Sequence, residues 1–291
     1  MSAPPLVRLV RLPSVLTVPG DALLGAAWAG EGGGTATPDA LVLSSALLYL
    51  GGMALNDWAD REVDARERPS RPIPAGEVAP GTALGIASGL SGASLAVASA
   101  VGGPRALRTA LGLAATVWGY DLVAKNTPAG PWTMALARTL DVLLGAGRRP
   151  RSAAPAALVV GAHTLIVTLV SRREAEGADD SRLPLGALAG VAATTLFVAA
   201  LALRVRPRDP LAAAVALACA GLYASALGSA GVAAARDPRA ANLQRMVGAG
   251  VLGLMPLQSA LLALAGRRRA AAAIVTAWPL ARHAARKAAV T

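Results

Sequence analysis

A chain of 291 residues with 54% hydrophobic and only 15% charged residues, at a mean hydropathy of +0.51, is too apolar for a soluble domain, where about 25% charge is usual. Its 28 basic and 17 acidic residues give a net charge of +11. The basic ones fall in breaks between apolar runs, with no basic stripe interleaved with stacking aromatics, which excludes a nucleic-acid groove and favours lipid headgroups. Cys219 stands alone in an apolar run, so neither a disulfide framework nor a thiolate metal site is available.

Apolar stretches of membrane-spanning length recur from end to end, at 11–30, 39–55, 81–102, 106–122, 131–147, 153–171, 184–203, 211–234, 243–265 and 269–286. The expected fold is an all-α polytopic membrane protein, one bundle covering 1–291. Met1 to Arg11 lead into a segment broken by Pro13, Pro19 and Asp21 without a cleavage site, which reads as a retained first helix. The second span runs into Asn56-Asp57-Trp58-Ala59-Asp60-Arg61-Glu62-Val63-Asp64. On a helix Asn56, Asp60 and Asp64 share one face, each about 6 Å further along the axis. A row of this kind suits Mg2+, which takes oxygen ligands and is typically held by one or two carboxylates together with phosphates of a ligand. Arg68-Pro69-Ser70-Arg71-Pro72-Ile73-Pro74-Ala75-Gly76 follows, with two arginines able to grip phosphate oxygens and three prolines that stiffen the loop.

Gly81, Gly85 and Gly89 form a row of small residues on the third span, expected to allow close helix approach. The fourth span ends at Tyr120-Asp121, with Lys125 and Asn126 just beyond. Arg138 and Asp141, at i, i+3 spacing in the fifth span, can pair on one helix face; a structural ion pair and a ligand-binding role both fit. His163, alone in an apolar span, reads as a packed core histidine. The break Ser171 to Asp180 carries Glu174, Glu176 and Asp180, the last two at i, i+4 spacing. All five tryptophans, Trp28, Trp58, Trp118, Trp132 and Trp278, fall near predicted helix ends, as in an interfacial belt. The last span, with Pro279, Arg282, His283, Arg286 and Lys287, fits an interfacial helix as well as a crossing one. With a cytoplasmic N-terminus, 16 basic residues fall on the cytoplasmic side and 11 opposite, placing the breaks at 56–80, 123–130 and 172–183 together on the cytoplasmic face.

The motif N-D-x-x-D-x-x-x-D running into R-P-x-R-P-I-P-x-G resembles the first signature of the UbiA superfamily of intramembrane prenyltransferases. Tyr120 to Lys125 is similar to that family's Tyr-x-x-x-Lys segment with one extra residue. The break after Ser171 sits where the family carries a second acidic motif, often D-x-E-G-D. Glu174, Glu176 and Gly177 match it loosely, with Ala178 in place of the last Asp and Asp179 and Asp180 displaced. The 125–145 region and the Arg-Glu-Ala segment also resemble a variant, EboC-like branch. The resemblance implies about nine transmembrane helices, one fewer than the ten spans read, and an active site opening to the cytoplasmic side of a bacterial membrane. It implies transfer of a prenyl group from a prenyl diphosphate to an aromatic or other lipophilic acceptor, with release of pyrophosphate. Mg2+ would be held by Asn56, Asp60 and Asp64, and by Glu174, Glu176 and Asp180 of the looser motif. Asp60, Asp64, Lys125 and Arg138 would be catalytic, and Arg68, Arg71, Tyr120, Asp121 and Asp141 would bind substrate. An apolar cavity would shelter the allylic cation. Two other classes fit parts of the pattern. One is a catalytically degenerate member that binds or moves an isoprenoid; the other is a transporter with Arg138 and Asp141 on its path, which lacks repeated halves.

Overall fold

The computed structural model describes residues 4–10, 19–30, 37–206 and 208–288, and among them every regular element is helical. In chain order these are α1 (Pro5–Leu9), α2 (Pro19–Trp28), α3 (Thr37–Ala59), α4 (Arg61–Glu67), α5 (Pro80–Gly119), a π-turn (Tyr120–Ala124), α6 (Gly130–Gly145), α7 (Pro150–Ser171), α8 (Arg182–Val205), α9 (Pro210–Arg236), α10 (Ala240–Leu264) and α11 (Arg268–Ala288). Six of the described helices are long and apolar enough to cross a membrane, as an integral membrane protein requires. Among the described residues the helix count of nine is not confirmed one for one: α1, α2, α4 and α6 are short, and α11 is too polar to count among the six. Residues 11–18 of the expected first span lie outside the described residues.

Straight, the 40 residues of α5 would be about 60 Å long, twice the thickness of a bilayer core. The break predicted between 102 and 106 divides it. Gly103 takes φ 67°, a conformation that only glycine adopts without strain, and Pro104 has no N–H to continue the ladder.

The helices form two compact units, 1–157 and 158–291. In the first, α3 packs along both arms of α5. Ser94 Oγ donates to Ser44 O at 2.7 Å and Ser44 Oγ to Ser94 O at 2.9 Å, fixing the first arm antiparallel to α3. Leu41, Leu48, Ala98, Ala106, Leu113 and Leu144 close the core there. Gly81, Gly85 and Gly89 are not the close-approach row expected: they are exposed, and a Cβ on any of them would meet no heavy atom within 4 Å. The helix instead buries the neighbouring stripe of Ala83, Ala87 and Ser91, against Gly51. Close approach occurs between α2 and α6, where a Cβ on Gly25 would lie 1.8 Å from Val142 O and one on Gly145 1.9 Å from Ala22 O. Gly145→Ala is therefore expected to force these helices apart at a cost of about 3 kcal/mol or more, read as a drop in thermal midpoint in detergent, while Gly85→Ala leaves the midpoint in place or raises it.

In the second unit α8, α9, α10 and α11 run as successive hairpins. Asp209 caps α9, accepting from Ala212 N at 2.9 Å, and Pro210 follows at the first helical position. His163 is a core histidine as expected: it is 2% exposed, with Nδ1 3.1 Å from Tyr223 Oη and Nε2 3.1 Å from Gly250 O. A carbonyl can only accept, which assigns the proton to Nε2 and leaves Nδ1 to accept from the tyrosine. This joins α7, α9 and α10. Cys219 is buried, as a small core residue. Trp278 departs from the belt pattern, lying in the middle of α11 at 7% exposure, with the Arg282 guanidinium 4.7 Å from its ring centre.

Candidate active site

The acidic row survives a break in its helix. α3 ends at Ala59 and α4 starts at Arg61, yet Asp60 N bonds to Asn56 O at 2.9 Å and Asp64 N to Asp60 O at 2.8 Å, so the i, i+4 ladder passes through the junction. The three side chains keep their register but meet different partners. Asn56 Nδ2 donates to Asp121 Oδ1 at 3.0 Å. Asp60 Oδ1 accepts from Lys125 Nζ at 2.5 Å. Asp64, 1% exposed, accepts from Arg71 Nη1 at 2.5 Å, with Arg68 at 3.7 Å. The same Arg71 nitrogen donates to Asp57 Oδ1 at 3.1 Å. Asp57 was not among the expected site residues, although Asp57 and Asp64 lie seven apart and therefore two turns along one face.

The Arg-Pro loop is held as tightly as its prolines suggested. Glu77 N and Val78 N both bond to Pro72 O, and Gly76 turns the chain at φ 72°. Ile73 and Val78 bury against Leu9, Leu55 and Ala83, and Arg8 of α1 clasps the loop through Glu77 at 2.7 Å and Ser70 O at 2.5 Å. Arg71 is thus presented from a rigid loop.

The extra residue between Tyr120 and Lys125 has a structural place. Residues 120–124 form a π-turn in which Lys125 N reaches back five residues to Tyr120 O at 2.9 Å. One added residue in a helix is absorbed this way, and such turns frequently occur at functional sites. Here it turns Asp121 inward to Asn56 and Lys125 to Asp60.

Of these residues Asn56, Tyr120 and Asp121 line a cavity of about 350 Å³ between α3, the second arm of α5 and α6. Its walls are largely apolar, among them Leu48, Met53, Leu113, Val117, Met134 and Ala137. One end carries Asn56, Tyr120 and Asp121; the other, three turns or about 16 Å along α3, carries Ser45, Arg138 and Asp141. Arg138 does not make the intrahelical pair expected with Asp141. Its Nε lies 3.0 Å from Asp21 Oδ2 of α2, a fully buried carboxylate that the glycine-mediated crossing brings alongside. Asp21 read in the sequence only as a helix breaker, because nothing local ties it to a residue more than a hundred positions away.

The third break, taken within its own unit, is not helical. No residue of 172–181 is helical, so the helical i, i+4 relation expected of Glu176 and Asp180 does not hold. Gly177 adopts φ 87°, Ala178 N bonds to Pro238 O at 2.9 Å, and Ser181 Oγ donates to Ala235 O, pinning the segment to the α9–α10 corner. Glu176 lies 3.6 Å from Arg173, and Asp180 caps Arg182 N at 2.9 Å. Burial pushes the Glu174 carboxyl above its ordinary range. Among the described residues no three His, Cys, Asp or Glu side chains converge as a ready-made cation site.

A model of the UbiA prenyltransferase family matches residues 21–237. The chain is 56% identical over 45 residues to a digeranylgeranylglyceryl phosphate synthase of Methanothrix thermoacetophila, covering 15% of this chain and 17% of that protein. It is 38% identical over 82 residues to the protein of that name from Natronomonas pharaonis, covering 27% and 28%. The chain thus aligns with less than a third of these relatives' length. Among solved structures, a UbiA homologue from Archaeoglobus fulgidus bound to DMAPP and Mg2+ superposes with a TM-score of 0.64 at 15% identity, over 88% of this chain and 99% of that one. A structure described for digeranylgeranylglyceryl phosphate synthase in membranes gives 0.63 at 16% identity, over 89% and 97%. At these identities the structural likeness establishes the fold.

Proposed function

Since this chain belongs to the UbiA prenyltransferase family, we propose that it moves an isoprenyl group from a prenyl diphosphate to a lipophilic acceptor within the membrane, releasing pyrophosphate. The observation that carries this reading is the set of carboxylate–cation pairs, Lys125–Asp60 and Arg71–Asp57/Asp64, that follows directly in the chain on Asn56, Tyr120 and Asp121, the residues lining one end of an apolar cavity. Such a site is balanced without ligand and ready to exchange. A diphosphate offers Lys125, Arg68 and Arg71 oxygens that compete with the carboxylates they now hold, and each cation that turns to it releases a carboxylate. The solved relatives bound to DMAPP or GPP together with Mg2+ support a donor of this chemistry.

The donor set fits Mg2+: hard oxygen ligands and no thiolate or imidazole, with too few side chains converging to complete a shell without water and phosphate. Asn56, Asp60 and Asp64 are the proposed ligands, Asp60 being the most accessible of the two carboxylates at 27% side-chain exposure against 2% for Asp64. Glu174, Glu176 and Asp180 remain proposed as a second acidic set. When bound, the metal supplies charge neutralisation at the leaving pyrophosphate. The chain's own residues do the rest. Arg68, Arg71 and Lys125 hold the diphosphate, Tyr120 and Asp121 line the same end, and Leu48, Met53, Leu113, Val117 and Met134 keep water from the allylic carbon. Arg138 and Asp141, at the other end of the cavity, are proposed to act on the acceptor.

The whole chain is proposed to work as one prenyltransferase domain. The relatives' names, which state a glyceryl phosphate product, suggest lipid alcohols for the acceptor panel beside aromatic ones. A cytoplasmic opening rests on the distribution of basic residues. The bacterial membrane is likewise part of the proposal, the matched relatives being archaeal.

Pyrophosphate release by the purified protein in nanodiscs, with geranyl, farnesyl and longer diphosphates against the acceptor panel, tests the reading. Release is expected to fall about a hundredfold or more with EDTA and to return with added Mg2+. Diphosphate binding without release from any donor–acceptor pair would favour the degenerate, binding-only member.

A further inference from the structure

We propose that the inner end of the cavity is a subsite for an uncharged hydroxyl group of the second substrate, built from Asp141 and Ser45 and backed by the Asp21–Arg138 pair. We further propose that it disfavours acceptors with an anion at that position. The inference rests on the prenyl-transfer reading and narrows its acceptor.

Asp141 is 7% exposed and Ser45 2%, and both line the cavity. Ser45 Oγ and Asp141 Oδ1 are both buried, and neither atom has a hydrogen-bond partner by distance and angle. Buried polar atoms are normally satisfied, and the demand is stricter among apolar helices, where the surroundings offer no substitute. Two unsatisfied oxygens on residues that line one cavity call for a ligand that brings a hydrogen to donate and an oxygen to accept with. A hydroxyl does both.

The charges beside them decide against an anion. Arg138 is the cation at this end, and its Nε already faces Asp21, which is fully buried. Asp21 faces this guanidinium and Asp141 lies within reach of its charge, so a carboxylate or phosphate entering here finds no uncommitted positive charge among the described residues. The cations suited to a diphosphate, Arg68, Arg71 and Lys125, pair with Asp60 and Asp64 beyond Asn56, which itself lies about 16 Å from Ser45 along α3. That separation sets the order of the ligands: donor diphosphate beyond Asn56, reacting carbon in the apolar middle, and acceptor reaching from there to Asp141.

Two matched pairs of acceptors test this: hydroquinone against 4-hydroxybenzoate, and a monoalkylglycerol against its phosphate. Each anionic member replaces a neutral hydroxyl of its partner. With wild-type protein in nanodiscs, the neutral member of at least one pair is expected to have a kcat/KM tenfold or more above its anionic partner. Asp141→Leu should raise the KM of that acceptor at least tenfold without moving the donor KM, and Asp141→Asn, which keeps the hydrogen bond, should restore most of it. Ser45→Ala gives a second, milder variant if Asp141→Leu does not fold. Preference for the anionic member in both pairs would overturn the subsite, as would an acceptor KM unchanged in the variants, the result for a pocket that holds only water. Acceptor binding without donor, followed by calorimetry, separates the two readings. Binding lost in Asp141→Leu with no turnover from any pair leaves the subsite standing and removes prenyl transfer; turnover indifferent to Asp141 and Ser45 does the reverse.

Discussion

Asp60→Ala is expected to reduce pyrophosphate release roughly a thousandfold, about 4 kcal/mol of barrier, while leaving the protein folded. The two halves of this expectation have separate causes. Asp60 is the accessible carboxylate of the acidic row and the partner of Lys125 at 2.5 Å, so its removal takes away the proposed Mg2+ ligand that a donor meets first. Structurally, its contribution is small: the ladder through the α3–α4 junction uses backbone atoms, Asp60 N to Asn56 O and Asp64 N to Asp60 O, which alanine retains. The ion pair is partly exposed, and its loss costs about 1 kcal/mol or less. Asp60→Asn should fall nearly as far as alanine, since a neutral amide keeps the shape but not the charge. Lys125→Met should act differently, through a raised donor KM, because the lysine is assigned to the diphosphate. Measured together with the double variant, the two should be strongly non-additive. An Asp60→Ala protein with wild-type turnover would remove Asp60 from the site.

Arg71→Leu is expected to be the most damaging single change to the fold of the first unit. It leaves Asp57 and Asp64, 3% and 1% exposed, facing a position from which their shared cation has gone. Removing one partner from a buried ion cluster costs about 3–5 kcal/mol, most of it the penalty of the charges left behind. A large fall in thermal midpoint, or loss of the folded protein from detergent extracts, would register it. If uncompensated charge is the cause, the triple change Arg71→Leu, Asp57→Asn, Asp64→Asn should recover the midpoint. Activity should stay lost, because Arg71 and Asp64 are also proposed to hold the donor and its metal. Recovery of both would make the cluster purely structural; recovery of neither would place the damage in the packing of the Arg-Pro loop.

What was legible in the sequence was whatever is decided within a few turns of chain. Apolar runs set the helices, and Gly103-Pro104 ended one arm of α5 where a proline must end it. The four-residue spacing of Asn56, Asp60 and Asp64 put them in register, and the prolines after Arg68 stiffened a loop that the structure finds closed on itself. The same local logic overreached where it assumed a helix: Glu176 and Asp180 share no face because Gly177 turns the chain between them. Partnership was beyond it. Asp21 belongs with Arg138 because Gly25 and Gly145 let two helix backbones touch, a contact that no spacing encodes. Arg71 selects Asp57 as well as Asp64, and a π-turn absorbs one added residue to bring Lys125 to Asp60. Backbone ladders and periodicity are short-range and readable along the chain; the pairing of buried charges depends on which helices cross and how closely, and only the folded molecule decides that.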